Sequence, residues 1–135
     1  MESIPHKHCP VLVVDDDEGL LLSIKATLVS SGLPEPALVS DSRRVLDLVR
    51  EHEFQLILLD LMMPDVDGWE VYRQMKADKE LADIPVIIIT ARTQSIDKVL
   101  GLKVAKVADY ITKPFGPGDL VDSIRRVLDN TEEDK

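Results

Sequence analysis

The sequence predicts an α/β fold, a doubly wound sheet of five parallel strands with five helices. Five short runs of consecutive apolar residues lack the in-and-out alternation of half-exposed strands, which is typical of strands buried on both faces. Segments with apolar residues at helical spacing separate these runs. The 135 residues are enough for one domain with a substantial core.

The first strand is predicted at residues 11–15 (VLVVD) and a weaker second strand at 37–40. Residues 55–60 (QLILLD) are the best candidate for a central strand, and two more strands are predicted at 85–90 and 108–112. Connections between parallel strands are right-handed, so five such units form an open doubly wound sheet.

The first helix is predicted at residues 18–31, with one apolar stripe and Gly32 as its stop. A third helix is predicted at 68–77. The apolar residues of the five helices, in chain order, are Leu21, Ile24 and Leu28; Val45, Leu48 and Val49; Val71 and Met75; Ile96, Val99 and Leu100; and Leu120, Ile124, Val127 and Leu128.

The predicted domain covers residues 11–129, between a flexible lead at 1–10 and a polar tail at 130–135. The lone Cys9 has no partner for an internal disulfide, which fits a reducing compartment. A metal site built from His6, His8 and Cys9 is conceivable, but three ligands on an unstructured lead are poorly preorganised.

The charge balance argues against nucleic acid as a direct partner. The net charge is −9, with 25 acidic and 16 basic residues, whereas a phosphate backbone requires a basic face. No apolar run reaches the roughly 20 residues of a membrane span, and no signal-peptide pattern is found. The sequence therefore predicts a cytoplasmic protein.

Polar residues follow the apolar strands at their carboxyl ends, where ligands bind in open α/β sheets. The acidic run at 15–18 follows the first strand, Asp60 ends the third, Thr90 the fourth, and Lys113 follows the fifth. Clustered carboxylates repel one another, and Mg²⁺ would compensate their charge. Lys113 supplies a point charge that suits a phosphate.

Each of these residues also has a purely structural explanation. The acidic run at 15–18 could cap the first helix, and Asp60 could simply end a strand. Thr90 could be an ordinary β-branched strand residue and Lys113 a surface lysine. These explanations do not account for the convergence of all four features on one edge of the sheet.

Four stretches resemble the receiver domains of two-component response regulators. They are VLVVDDDEG (11–19), LILLDLMMPDVDGWE (56–70), PVIIITA (85–91) and DYITKPF (109–115). The resemblance covers roughly residues 11–129 and implies a flavodoxin-like, receiver-type fold.

The resemblance implies a role for each matching position. Asp60 would be the phosphoacceptor, which attacks the phosphorus of a phosphohistidine on a partner kinase. Asp16, Asp60 and the backbone carbonyl of Met62 would bind Mg²⁺ directly, and Asp15 would help through a water molecule. The Lys113–Pro114 peptide bond is expected to be cis. Three groups would bind the phosphoryl oxygens: the Thr90 hydroxyl, the Ala91 N–H and the Lys113 ammonium.

The family also implies a conformational switch. Thr90 and Tyr110 occupy the positions that rearrange after phosphorylation, and the altered surface would be the fourth helix, fifth strand and fifth helix, roughly 96–128. A core tyrosine with a hydrated hydroxyl is the alternative for Tyr110. The resemblance implies a phosphoacceptor signalling domain that catalyses only its own phosphoryl transfer and dephosphorylation, and not an enzyme.

The implied partners are a sensor histidine kinase or phosphotransfer protein, and a downstream protein or a fused output domain. A phosphorylation-dependent homodimer stays open. The sequence departs from the family at Lys106, where a glycine is common. By the same resemblance, Met62 and Arg92 would flank the phosphoryl group and tune its lifetime.

The sequence argues against two other functions and leaves a third open. Haloacid-dehalogenase phosphatases use Asp-x-Asp, but Met62 stands where the second acid would be. A calcium-binding EF-hand loop would need acidic ligands at Met63 and Gln74. A receiver fold that binds proteins without phosphorylation remains the alternative function.

Overall fold

The structure, a computed structural model, describes residues 2–5, 9–61, 68–91 and 107–133. Its strands are β1 (Glu2–Ser3), β2 (Val11–Val14), β3 (Ala37–Val39), β4 (Leu56–Asp60), β5 (Val86–Ala91) and β6 (Asp109–Lys113). Within these ranges they form one sheet in the order β1-β3-β2-β4-β5-β6. Strands β2 to β6 pair in parallel, which confirms the predicted five-stranded parallel sheet.

The described helices are α1 (Glu18–Ser30), α2 (Val45–Glu51), α3 (Gly68–Ala77) and α4 (Pro117–Glu133). A short 3₁₀ turn at Ser42–Arg44 leads into α2. The fourth predicted helix, with Ile96, Val99 and Leu100, lies outside the described residues. Helix α4 of the structure is therefore the fifth helix of the prediction.

The parallel strands bury side chains on both faces, as their unbroken apolar runs predict. On one face, alternate strand residues pack with Leu48 of α2 and Met75 of α3. On the other face, the intervening strand residues pack with Ile24 of α1 and Ile124 of α4. Helices therefore cover both faces of the sheet, which makes it doubly wound.

The lead that was predicted to be flexible contributes structure to the sheet. Strand β1 pairs antiparallel with β3, with Glu2 opposite Val39. Cys9 is buried, and its thiol donates to the carbonyls of Val11 and Glu35. A two-residue strand is too short to show a hydrophobic period, so the sequence pattern could not predict it. His6 and His8 lie outside the described residues.

Helix α4 runs to Glu133, four residues beyond the predicted end of the domain at 129. Adding a residue to an existing helix costs little compared with nucleating one, so a polar segment can extend a helix that has already formed. Among the residues that the structure describes, no helix is long and apolar enough to span a membrane.

Candidate functional site

Three strand ends place charged side chains at the same edge of the sheet. Asp15 directly follows β2, Asp60 is the last residue of β4, and Lys113 is the last residue of β6. The parallel register aligns Val14 with Leu59, so the residue after β2 lies beside the end of β4. The fold therefore brings together side chains that are up to 98 residues apart in sequence.

Lys113 lies between two buried carboxylates. Its Nζ is 3.0 Å from Asp15 Oδ2 and 3.4 Å from Asp60 Oδ2. Asp15 is fully buried and Asp60 is 1% exposed, whereas the lysine side chain is 30% exposed. Buried carboxylates are rare unless they are paired, so the ammonium is a necessary part of this arrangement.

Asp16 adds a third carboxylate on the solvent side of the cluster. One oxygen from each of Asp15, Asp16 and Asp60 lies within 4.8 Å of the others, and Asp16 is exposed. Oxygen ligands in this number suit a hard divalent cation that keeps some of its waters. Three carboxylates facing one ammonium leave two negative charges, which Mg²⁺ would neutralise. The residues present therefore fit the ion that the sequence predicts.

Burial and neighbouring charges shift the pKa values of three groups in the cluster. Burial raises the pKa of Asp15, and the neighbouring charge of Asp60 adds to this effect. Burial also raises the pKa of Asp16, together with the charge of Asp15. Burial opposes the charge of Lys113, but the hydrogen bonds and charges of Asp15 and Asp60 together outweigh it, so the pKa of Lys113 is raised. The charges of Asp15 and Asp16 are therefore not fully compensated, and the lysine is held protonated.

The acidic run at 15–18 divides between the site and the first helix. Asp17 is the N-cap of α1, and its Oδ1 accepts from the Leu20 N–H at 3.1 Å. The Asp17 N–H in turn donates to Asp15 Oδ1 at 2.9 Å, which orients that carboxylate. The capping explanation therefore applies to Asp17, while Asp15 and Asp16 belong to the acidic cluster.

Comparison with known proteins decides the family. The family model of the response regulator receiver domain matches residues 11–125. The chain belongs to the response regulator receiver family. It is thus a signalling domain of a family that works by phosphorylation, and its fold is the flavodoxin-like receiver fold that the sequence predicts.

Individual relatives agree with this assignment. The DNA-binding response regulator MtrA of Mycolicibacterium smegmatis is 38% identical over 124 residues, which are 92% of this chain and 52% of that protein. The receiver domain thus spans about half the length of the curated relatives that it matches.

Two solved structures are similar over nearly the whole receiver domain. A CheY-like response regulator receiver domain protein from Methanospirillum hungatei JF-1 has a TM-score of 0.82 at 27% identity, covering 95% of this chain and 99% of that one. The receiver domain of Francisella response regulator 1452 has a TM-score of 0.78 at 30% identity, covering 92% and 99%.

The remaining predicted site residues are placed only in part. The Lys113–Pro114 peptide bond is cis, as expected. In the receiver sheet, the backbone of Thr90 pairs with Thr112 and that of Ala91 with Lys113. The side chains of Thr90 and Ala91 lie outside the description, as do the residues Met62, Arg92 and Lys106. Tyr110 is 42% exposed.

Two contacts are not predictable from the sequence pattern. Asp109 Oδ2, at the start of β6, accepts from the Ser123 hydroxyl at 2.6 Å and from Arg126 Nη2 at 3.2 Å, which ties the strand to α4. Gly68 at the start of α3 contacts the backbone of Asp60 and Leu61. Asp-Gly dipeptides are typical of turns, but no sequence pattern reports a close approach of two backbones.

Proposed function

We propose that this receiver domain accepts a phosphoryl group on Asp60 and that Lys113 and the acidic cluster stabilise the transferred group. One observation carries the proposal: a buried carboxylate at a strand end lies 3.4 Å from an ammonium that also contacts Asp15. Phosphoryl transfer asks a protein mainly to position reactants and to neutralise charge on the transferring oxygens.

In the proposed reaction, an oxygen of the Asp60 carboxylate attacks the phosphorus of a donor phosphohistidine. The bond between phosphorus and the imidazole nitrogen breaks, and its electron pair stays on that nitrogen. The product is an acyl phosphate, and a water molecule later returns it to carboxylate and inorganic phosphate. No general base is required, because an ionised carboxylate is already a nucleophile.

Other groups of the chain would bind the phosphoryl oxygens and the metal ion. Lys113 would bind one phosphoryl oxygen, and the Thr90 hydroxyl and the Ala91 N–H would bind the others. Asp15, Asp16 and Asp60, with the predicted Met62 carbonyl, would hold Mg²⁺. When bound, this ion supplies positive charge that offsets the carboxylates and the incoming phosphoryl group. The domain acts on its own aspartate and has no separate substrate to turn over.

Phosphorylation adds about 1.5 to 2 negative charges at the edge of the sheet. We propose that Thr90 and Tyr110 rearrange in response, and that the signal leaves through the fourth predicted helix, β6 and α4. Half-exposed Tyr110 is compatible with a ring that turns inward. The upstream partner would be a sensor histidine kinase or phosphotransfer protein, and the downstream partner a protein or a fused output domain.

The test is the intact mass of the chain after incubation with Mg²⁺ and acetyl phosphate. We expect the mass to rise by one phosphoryl group and the rise to vanish in Asp60→Asn. Asp119→Asn, which removes an exposed carboxylate at the start of α4, is the matched control and should retain the rise. An unmodified parent protein would favour the phosphorylation-independent scaffold, and a modified Asp60→Asn variant would place the acceptor elsewhere.

A further inference from the structure

Helix α3 begins against the backbone that carries the proposed phosphoacceptor. A Cβ atom built on Gly68 would lie 2.6 Å from Leu61 Cα, 2.7 Å from the Asp60 carbonyl oxygen and 3.1 Å from the Leu61 carbonyl carbon. All three neighbours are backbone atoms, so no side-chain rotation can make room for a methyl group. The Gly68 N–H also points to this backbone and donates to the Leu61 carbonyl at 3.4 Å.

Backbone conformation does not explain this glycine. Among the described glycines only Gly32 has a positive φ, of 82°. A place near the start of a helix does not by itself create such crowding. A Cβ built on Gly118, near the start of α4, would have no neighbour within 4 Å. The described contacts leave the short distance between α3 and the end of β4 as the reason for glycine at position 68.

The two elements that meet at Gly68 are both fixed in place. Asp60 pairs with Ile89 of β5, and the Leu61 N–H donates to the Ile89 carbonyl at 3.2 Å. Helix α3 is anchored in the core by Val71 and Met75. A methyl group at position 68 must therefore displace either the helix or the strand end, and the Asp60 carboxylate is attached to that strand end.

We propose that Gly68 is a positioning residue for Asp60: the missing side chain lets α3 fix the height of the acceptor carboxylate relative to Lys113. This inference rests on the proposed function of Asp60. A misplacement of about 1 Å at a reacting group is enough to cost about 100-fold in rate, because the reacting atoms and their charged partners no longer align.

The experiment compares Gly68→Ala with two matched controls. Gly118→Ala adds the same methyl group at a helix start with open space around it. Val71→Ala destabilises the same helix by removing buried side-chain atoms from the core cluster, whereas Gly68→Ala adds a methyl group against the backbone of the strand end. For each protein, the initial rate of phosphoryl uptake from acetyl phosphate with Mg²⁺ is measured at saturating donor, together with the amide chemical shifts of Asp60 and Leu61.

We expect Gly68→Ala to lower the saturated rate by about 10-fold or more and to shift both amides. We expect both controls to stay within about twofold of the parent, because neither adds an atom against the backbone that carries the acceptor. Equal rates in Gly68→Ala and the parent overturn the inference, and so does an equal loss in Val71→Ala, which would make helix stability the cause. If Gly68→Ala folds poorly alone, the substitution is made in the Gly118→Ala background with trimethylamine N-oxide in all buffers.

The same measurements separate this inference from the proposed function. If the parent takes up no phosphoryl group, the proposed role of Asp60 fails and the positioning role fails with it. If the parent is phosphorylated on Asp60 and Gly68→Ala is phosphorylated at the same rate, only the positioning role fails.

Discussion

Lys113 is the residue on which the charge balance of the site depends. Its ammonium contacts Asp15 and Asp60, which are both almost fully buried. Removing one partner of a buried ion pair leaves an uncompensated charge, which costs about 3 to 5 kcal/mol when both groups are buried. The lysine is 30% exposed, so water compensates part of this loss.

We therefore predict that Lys113→Met lowers the free energy of unfolding by about 1 to 3 kcal/mol in buffer without divalent cations. Urea unfolding measures this value. The double variant with Asp60→Asn should regain part of the loss, because one of the two stranded carboxylates is then neutral. An additive double variant would contradict the coupling between Lys113 and Asp60.

Tyr72 is a buried titratable residue away from the site. Burial raises the pKa of its phenol above the ordinary value of 10.0. The folded state then holds the proton more tightly than the unfolded state, so the free energy of unfolding falls as the pH rises above about 10. Below that pH the stabilising contribution is fully present.

Tyr72→Phe should remove this alkaline loss. We expect the variant to lose less stability than the parent between about pH 9 and pH 11, measured by urea unfolding at each pH. Tyr110→Phe is the control, because it makes the same substitution at a tyrosine that is 42% exposed instead of buried. Parallel pH profiles for the parent and Tyr72→Phe would show that burial of the phenol has no such effect.

The N-terminus of α1 links the stability of this helix to the site. Asp17 caps the helix through the Leu20 N–H, and the Asp17 N–H orients Asp15. Asp17→Ala should lower the free energy of unfolding by about 1 kcal/mol, because a helix N–H loses its acceptor. Asp17→Asn retains a capping oxygen and should cost only a few tenths of a kcal/mol. Equal losses in urea unfolding would argue against a cap.

The sequence predicts elements well where burial imposes a local pattern of apolar residues. The apolar run that forms β4 and the Leu21, Ile24 and Leu28 stripe of α1 depend on neighbours in the chain, and both are found. Strand β1 depends instead on a distant partner, β3, which supplies its hydrogen bonds. Pairing of that kind leaves no local pattern, so the sequence predicts no strand in the lead.

At the scale of the whole molecule, the topology of a parallel sheet is what makes the candidate site predictable. The carboxyl ends of β2, β4 and β6 lie on one edge whatever the side chains are, so three separate motifs give one cluster. The sequence does not reveal that Lys113 contacts Asp15 more closely than Asp60, or that Gly68 must approach Leu61. Those details depend on distances between packed backbones.

The net charge of −9 and the acidic cluster predict different responses to cations. Monovalent salt screens the repulsion across the whole surface, and any salt stabilises the fold in that way. A bound ion adds a separate term, about 2.7 kcal/mol when its concentration is 100 times the dissociation constant. Thermal unfolding in MgCl₂ and in NaCl of equal ionic strength separates the two effects.

We predict a larger increase of the melting temperature in MgCl₂ than in NaCl, because only Mg²⁺ occupies the cluster. Asp16→Asn should remove most of that difference, since it takes away one of the three clustered carboxylates and its side chain is exposed. Glu18→Gln removes the same charge two residues further along, outside the cluster, and should keep the difference. Equal shifts in the two salts, or an unchanged difference in Asp16→Asn, would mean that Mg²⁺ acts only by screening.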